Sequence, residues 1–200
     1  MSPSHTYSPT YQALKRLLMK GTLPGGHRLE TVRLAKELGV STSPVRDSLN
    51  YLAGEGMVHF VAGEGFHVPK MDAFRLECLL ELNLALLLSA VGDEPLPWTS
   101  YTTDDGRPAD RAATLFRVIA ARTGNLELVG TIEALSDRLW STRLLDERVL
   151  QQPMAVLDRL QAALRTRDGP DAIRSLLRSY HEERKREATE YARLLTRSEG

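Results

Sequence analysis

Residues 41–46 read Ser-Thr-Ser-Pro-Val-Arg: three hydroxyls, a proline and a guanidinium within six positions. Proline suits the first turn of a helix, where the backbone N–H it lacks would have no intrahelical partner, and a serine just before it is a favoured cap. The spacing predicts Ser43 as the N-cap and Pro44 as the first helical residue. A helix starting there points free N–H groups and a positive dipole end outward, which suits a phosphate. Ser41, Thr42 and Ser43 are short enough to donate to phosphate oxygens while the backbone stays close. Arg46 lies nearly one turn in, where it can bond guanine bidentately in a major groove or clamp a phosphate. The plainer alternative is that the tetrapeptide only caps a helix and Arg46 is a surface residue.

The elements needed to hold such a helix against DNA are present on both sides. Ala35, Gly39 and Val45 are spaced four and then six apart. A helix-turn-helix needs a small residue in its first helix, a residue tolerant of left-handed backbone in the turn, and an apolar residue in its second helix. These three meet those needs. Leu34, Leu38 and Val40 supply the remaining apolar contacts. Ser8 and Pro9 open an earlier helix carrying Tyr11, Leu14, Leu17 and Leu18 at helical spacing, and "GTLPGG" at 21–26 stops it. Residues 54–68 read as a hairpin, with two β-prone runs flanking Ala62-Gly63-Glu64-Gly65. Its tip would reach the neighbouring groove or backbone as a wing, and Glu64 beside phosphate would limit it to backbone N–H contacts from Gly63 and Gly65.

The totals are neutral where the distribution is not. The 200 residues carry 26 Lys+Arg and 26 Asp+Glu, so no global field points to nucleic acid. Residues 1–70 hold 8 basic and 5 acidic side chains, a balance of +3; residues 71–200 hold 18 and 21, a balance of −3. The expected organisation is therefore two modules, 1–70 and 71–200, with a mainly α fold: an N-terminal winged helix-turn-helix with a small β-hairpin wing, then an all-α bundle. Cys78 is the single cysteine, expected as a buried structural thiol among Leu76, Leu79 and Leu80. The N-terminus has neither a basic nor an apolar leader region, and the most apolar run, 82–91, is far short of the ~20 residues that span a bilayer. A cytoplasmic location without membrane contact is expected.

Residues 21–68, "GTLPGGHRLETVRLAKELGVSTSPVRDSLNYLAGEGMVHFVAGEGFHV", resemble the winged-helix domain of GntR-type bacterial transcription regulators. That family shows "LA..LGVS...VR..L..L..EG" and a glycine-containing wing. The resemblance implies DNA contacts from the start of the second helix, here Val32 and Arg33, from Ser41, Thr42, Ser43 and Arg46, and from Gly63. Many members have arginine at the Thr42 position and a basic residue at Val32, so the resemblance leaves Arg46 carrying more of the base reading.

From Asp72 the pattern is helical: 72–91, with a nearly all-apolar end that reads as a central buried helix, then 111–122, 126–149, 152–166 and 170–196. Residues 92–110 have no periodicity and three prolines, with Trp98 and Tyr101 expected to cover the bundle. "LFRVIAARTGNLELVGTIEALSDRLW", 115–140, is similar to the effector domain of the FadR branch of that family. Many members of this branch hold a divalent metal through one aspartate and three histidines. The matching positions here are Ala113, Arg117, and positions near Leu157 and Ser179, so no metal and no other cofactor is expected. His181 lies in a charged run, 181–190, read as a solvated face.

Arg117 would stand where the cation normally sits. With Arg138 or Arg143 and Ser179 it would bind an anionic metabolite; the alternative is that Arg117 pairs with an acid or reaches solvent. The resemblance implies a homodimeric regulator, in most members a repressor, reading an inverted-repeat operator in double-stranded DNA under control of a small-molecule effector. The alternative is a ligand-independent regulator whose helical domain only dimerises. No Ser/His/Asp arrangement or phosphate-binding glycine loop is present, so an enzyme is not expected.

Overall fold

A computed structural model of the chain describes residues 8–92, 107–166 and 169–197. The chain divides into two compact units, Met1–Met71 with Leu195–Gly200, and Asp72–Leu194. Residues 93–106, including Trp98 and Tyr101, lie outside the described residues.

The first unit contains α1 (Pro9–Met19), α2 (Thr31–Leu38), α3 (Thr42–Gly54), β1 (His59–Val61) and β2 (Gly65–His67). Ser8 caps α1 by accepting from the Tyr11 N–H at 3.1 Å. Gly39 ends α2 at φ 66°, with its N–H donating to the Lys36 carbonyl and the Val40 N–H to the Ala35 carbonyl. This paired bond pattern is a Schellman motif, and it turns the chain into α3. Ala35 and Val45 are buried on either side of that turn, with Leu34, Leu49 and Leu52. Each fully buried leucine contributes about 2 kcal/mol of burial. A larger side chain at Ala35 would force the helices apart, at a cost of about 1–3 kcal/mol. Val40, expected in the same contact, is 38% exposed.

The Tyr11 hydroxyl donates to both carboxylate oxygens of Glu55, at 2.6 and 2.8 Å, and so ties α1 to the end of α3. Burial and that bond push the tyrosine up to about 12. The strands pair antiparallel, His59 with His67, Phe60 with Phe66 and Val61 with Gly65. The segment before α2 runs beside β2: the Leu29 N–H donates to the Phe66 carbonyl and the Val68 N–H to the His27 carbonyl. That pairing brings Arg28 to the base of the wing.

The second unit contains α4 (Ala73–Ala90), α5 (Pro108–Ala121), α6 (Leu126–Arg138), α7 (Trp140–Arg143), α8 (Asp146–Val149), α9 (Ala155–Thr166), α10 (Pro170–Arg186) and α11 (Ala188–Arg197) as far as Leu194. Leu87, Phe116, Ile119, Leu157, Leu160, Leu177 and Tyr180 form its core. Two expected long helices are broken. The span 126–149 divides at Leu139 (ψ −3°) and Leu145 (ψ −3°), and 170–196 divides at Glu187 (φ −97°, ψ 10°). Helix α5 starts at Pro108, earlier than expected, because proline seats well in a first turn.

Helix α4 buries only one face. Leu76, Leu79, Leu80, Asn83 and Leu87 turn inward, while Phe74 is 75% and Leu82 46% exposed. Cys78 belongs to the outward stripe and is exposed, because its turn partners are Phe74 and Leu82 rather than its apolar sequence neighbours. Among the described residues no helix is long and apolar enough to cross a membrane.

Candidate nucleic-acid interface

Helix α3 starts two residues earlier than its sequence suggests. Ser41 is the N-cap in extended backbone, and Thr42, Ser43 and Pro44 form the first turn. The first four N–H groups of a helix have no intrahelical partner, so proline at the third position loses nothing. No side-chain bond closes this cap. Ser41, Thr42 and Ser43 are all exposed, and among the described residues no hydrogen bond engages their hydroxyls. The Ser48 hydroxyl instead donates to the Pro44 carbonyl at 2.7 Å, inside the turn. The outer end of α3 therefore presents unused backbone N–H groups and three unused hydroxyls.

Arg46 is exposed, and among the described residues no hydrogen bond or ion pair holds it. It lines an open cleft of about 430 Å³ together with Asn50, Arg28, Thr31, Phe60 and Glu64. The cleft lies between α3, the start of α2 and the wing. Gly63 and Gly65 adopt φ 82° and 95°, backbone that any Cβ would strain, and the Glu64 N–H donates to the Val61 carbonyl to close the tip. Glu64 is itself outward and lies 4.0 Å from His67. Arg33 is exposed and bonds Glu37 one turn along α2 at 2.9 Å. Val32 is 73% exposed beside it.

Asn50, Phe60 and Arg28 were missed by reasoning from the sequence. Asn50 was legible as the residue one turn after Arg46. Phe60 was hidden because an aromatic in a strand reads as core, yet it is 60% exposed with its ring 5.1 Å from Phe66.

In the helical unit the expected ligand residues do not assemble. Arg117 is on the exposed face and pairs with Glu133 at 2.6 Å, so it does not stand in the interior. Phe116 points inward, and the next residue on a helix is turned about 100° away. Ser179 is exposed for the same reason beside buried Tyr180. Arg138 is half-buried, and burial and the Arg75 charge lower its pKa. Arg143 alone of the four is inside, 2% exposed.

Around Arg143 the interior holds a polar cluster. Its guanidinium carbon lies 5.2 Å from the Phe116 ring centroid, and Phe116 stacks on His181 at 5.6 Å. His181 is fully buried, not on a solvated face. Its Nδ1 lies 2.7 Å from the Leu177 carbonyl oxygen and donates to it. Nε2 is then an acceptor. The Asn83 amide atom 2.9 Å from it is placed as Oδ1, with Nδ2 buried and unpartnered. Two acceptors cannot bond, so the amide belongs with its ends exchanged, its nitrogen donating to Nε2. Burial pulls the His181 pKa from the usual 6.5 down to about 3, with the Leu177 carbonyl opposing and the Arg143, Arg184 and Lys185 charges adding to it. The ring is neutral.

Asp146 is fully used, accepting from Arg184 at 2.5 Å and from the Tyr191 hydroxyl at 2.6 Å. The donor set does not fit a divalent cation: one engaged imidazole and one engaged carboxylate stand among two guanidiniums.

Residues 6–68 match the family described as bacterial regulatory proteins, gntR family. The chain is 29% identical over 89 residues to the uncharacterized HTH-type transcriptional regulator YdhC of Bacillus subtilis, covering 44% of this chain and 40% of that one. It is 35% identical over 78 residues to the HTH-type transcriptional regulator McbR of Escherichia coli, covering 39% and 35%. The matches thus span well under half the length of these relatives. Among solved structures, one described as a GntR transcriptional regulator from Rhodococcus sp. RHA1 superposes with TM-score 0.70 at 17% identity, over 90% of this chain and 95% of that one. That likeness, at such identity, is one of fold, and it extends over the helical unit as well as the winged helix. Residues 6–68 of this chain belong to the gntR family of bacterial regulatory proteins.

Proposed function

We propose that the chain is a cytoplasmic transcription regulator that binds an inverted-repeat operator in double-stranded DNA as a homodimer. The observation that carries this reading is the outer end of α3. Its cap hydroxyls and Arg46 are exposed and unengaged beside the wing. Ser41, Thr42 and Ser43 hold phosphate, Arg46 enters the major groove, and the Gly63 and Gly65 backbone meets the adjoining strand. Arg33 adds a phosphate contact from α2. Two copies join through the outward apolar stripe of α4, Phe74, Cys78 and Leu82. A small anionic effector taken up by the helical unit changes operator affinity, and occupation of the operator represses transcription.

The test is equilibrium binding of the chain to DNA from upstream of its own gene. Arg46→Ala should weaken discrimination from unrelated DNA by about 1–3 kcal/mol. Unchanged operator preference in that variant would remove α3 as the reading helix.

A further inference from the structure

The cleft between α3, the start of α2 and the wing is balanced in charge. Arg28 and Arg46 line it against Glu30 and Glu64, and Asn50 and the Phe60 ring line it with them. All four charged side chains are exposed. A sugar–phosphate strand laid there would meet two carboxylates as well as two guanidiniums, and repulsion would offset attraction. The unused N–H groups and hydroxyls at the outer end of α3 suit phosphate better. A cleft with no net charge, an amide and an aromatic ring suits the edge of a base pair. That edge is uncharged and carries donors, acceptors and, on thymine, a methyl group.

Phe60 is held ready for such a contact. It is the partner of Phe66 across the hairpin, so the two side chains share one face of the sheet. Phe66 is buried, and its ring lies 5.1 Å from the Phe60 ring. Phe60 itself is 60% exposed, on a strand whose three residues are all exposed. A single exposed apolar residue is ordinary on a protein surface. This one differs in its neighbours: Arg46 and Asn50 face the same cleft, read hydrogen-bonding groups, and are blind to a methyl.

We propose that Phe60 reads the C5-methyl group of a thymine in the operator, so that the base of the wing adds an apolar contact to the hydrogen bonds made by α3. The inference rests on the reading of the chain as a sequence-specific DNA-binding regulator, and extends base recognition from α3 to β1. The methyl lies on the major-groove edge, the same groove that takes Arg46. A 5-methylcytosine at that position keeps the contact; cytosine and uracil lose it.

The experiment is a uracil scan of the operator that the full chain selects from a random duplex pool. Deoxyuridine replaces each thymine in turn, which removes the methyl and leaves every hydrogen-bonding group in place. One thymine in each half-site should be sensitive, its replacement weakening binding about fourfold, the worth of one buried methyl group. Phe60→Ala should bind the thymine and uracil operators equally. With cytosine at that position, wild type should bind about fourfold more weakly than with 5-methylcytosine, and the variant should not distinguish them. No sensitive thymine in wild type, or the same sensitivity in Phe60→Ala, overturns the proposal. Binding weakened alike to both operators in the variant would place the ring against the sugar–phosphate strand instead.

If Phe60→Ala does not fold, photo-cross-linking of the wild-type chain decides. 5-Bromouracil at the sensitive thymine carries a bromine close to a methyl in size and cross-links to the side chain against it. A cross-link on Phe60 supports the proposal; a cross-link elsewhere, or none, overturns it. A folded wild-type chain that selects no sequence refutes the regulator reading and this inference with it. An operator without a Phe60-dependent methyl effect refutes the inference alone.

Discussion

Arg46 and Asn50 stand four residues apart on one exposed face of α3 and line the same cleft. Four residues advance about 6 Å along a helix, close to two base steps along a strand at 3.4 Å each. Arginine pairs with guanine and asparagine with adenine through two bonds each. Asn50→Ala should therefore relax sequence preference about two base pairs from the position relaxed by Arg46→Ala. Its cost is about 1–3 kcal/mol at that position, with little change in binding to unrelated DNA. Binding measured across operators with single base-pair changes reads this directly. An Asn50→Ala profile identical to wild type would place Asn50 outside the base-reading set.

The neutral, buried His181 gives a pH dependence of known sign. Its folded-state pKa, about 3, lies below the ordinary 6.5. Between those values the unfolded chain binds more protons, so stability is full above about pH 6.5 and falls as the pH drops through it. From pH 7.5 to 5 the loss from this group is about 2 kcal/mol. Urea unfolding of wild type and His181→Gln at the two pH values should show a smaller loss in the variant. Equal losses would mean that His181 takes up its proton in the fold as readily as outside it.

Leu82 lies on the outward stripe of α4, 46% exposed. Under the homodimer reading, Leu82→Arg places a charge in an apolar interface and should weaken self-association at least tenfold by sedimentation, while leaving the thermal unfolding of the monomer nearly unchanged. Self-association equal to wild type would take this face out of the interface.

Where the fold was legible, the signal was local. Ala35, Gly39 and Val45 sit at fixed separations around one turn, and the glycine is demanded by its backbone angle, so the helix-turn-helix follows from the residues themselves. The start of α3 was not, because proline is tolerated throughout a first turn, and Ser41 and Ser43 are equally good caps on composition. In the helical unit, facing decided the errors. Arg117 follows buried Phe116 and is thereby turned to solvent; Cys78 sits among leucines that face the other way. His181 was hidden by the charges around it. Yet Ile173, Leu176, Leu177, Tyr180, His181 and Arg184 form one continuous helical stripe, and that periodicity runs through the charged segment. Weighted above composition, it places both His181 and Arg184 inside.

In the proposed regulator, two copies of α3 and the wing read DNA sequence. Selection of bound sequences by the full chain from a random duplex pool tests it most directly. The expected result is enrichment of a two-fold symmetric site whose half-sites lie about one helical turn apart, centre to centre, with the enrichment lost in Arg46→Ala. A pool that remains random after selection by folded wild-type chain would contradict it.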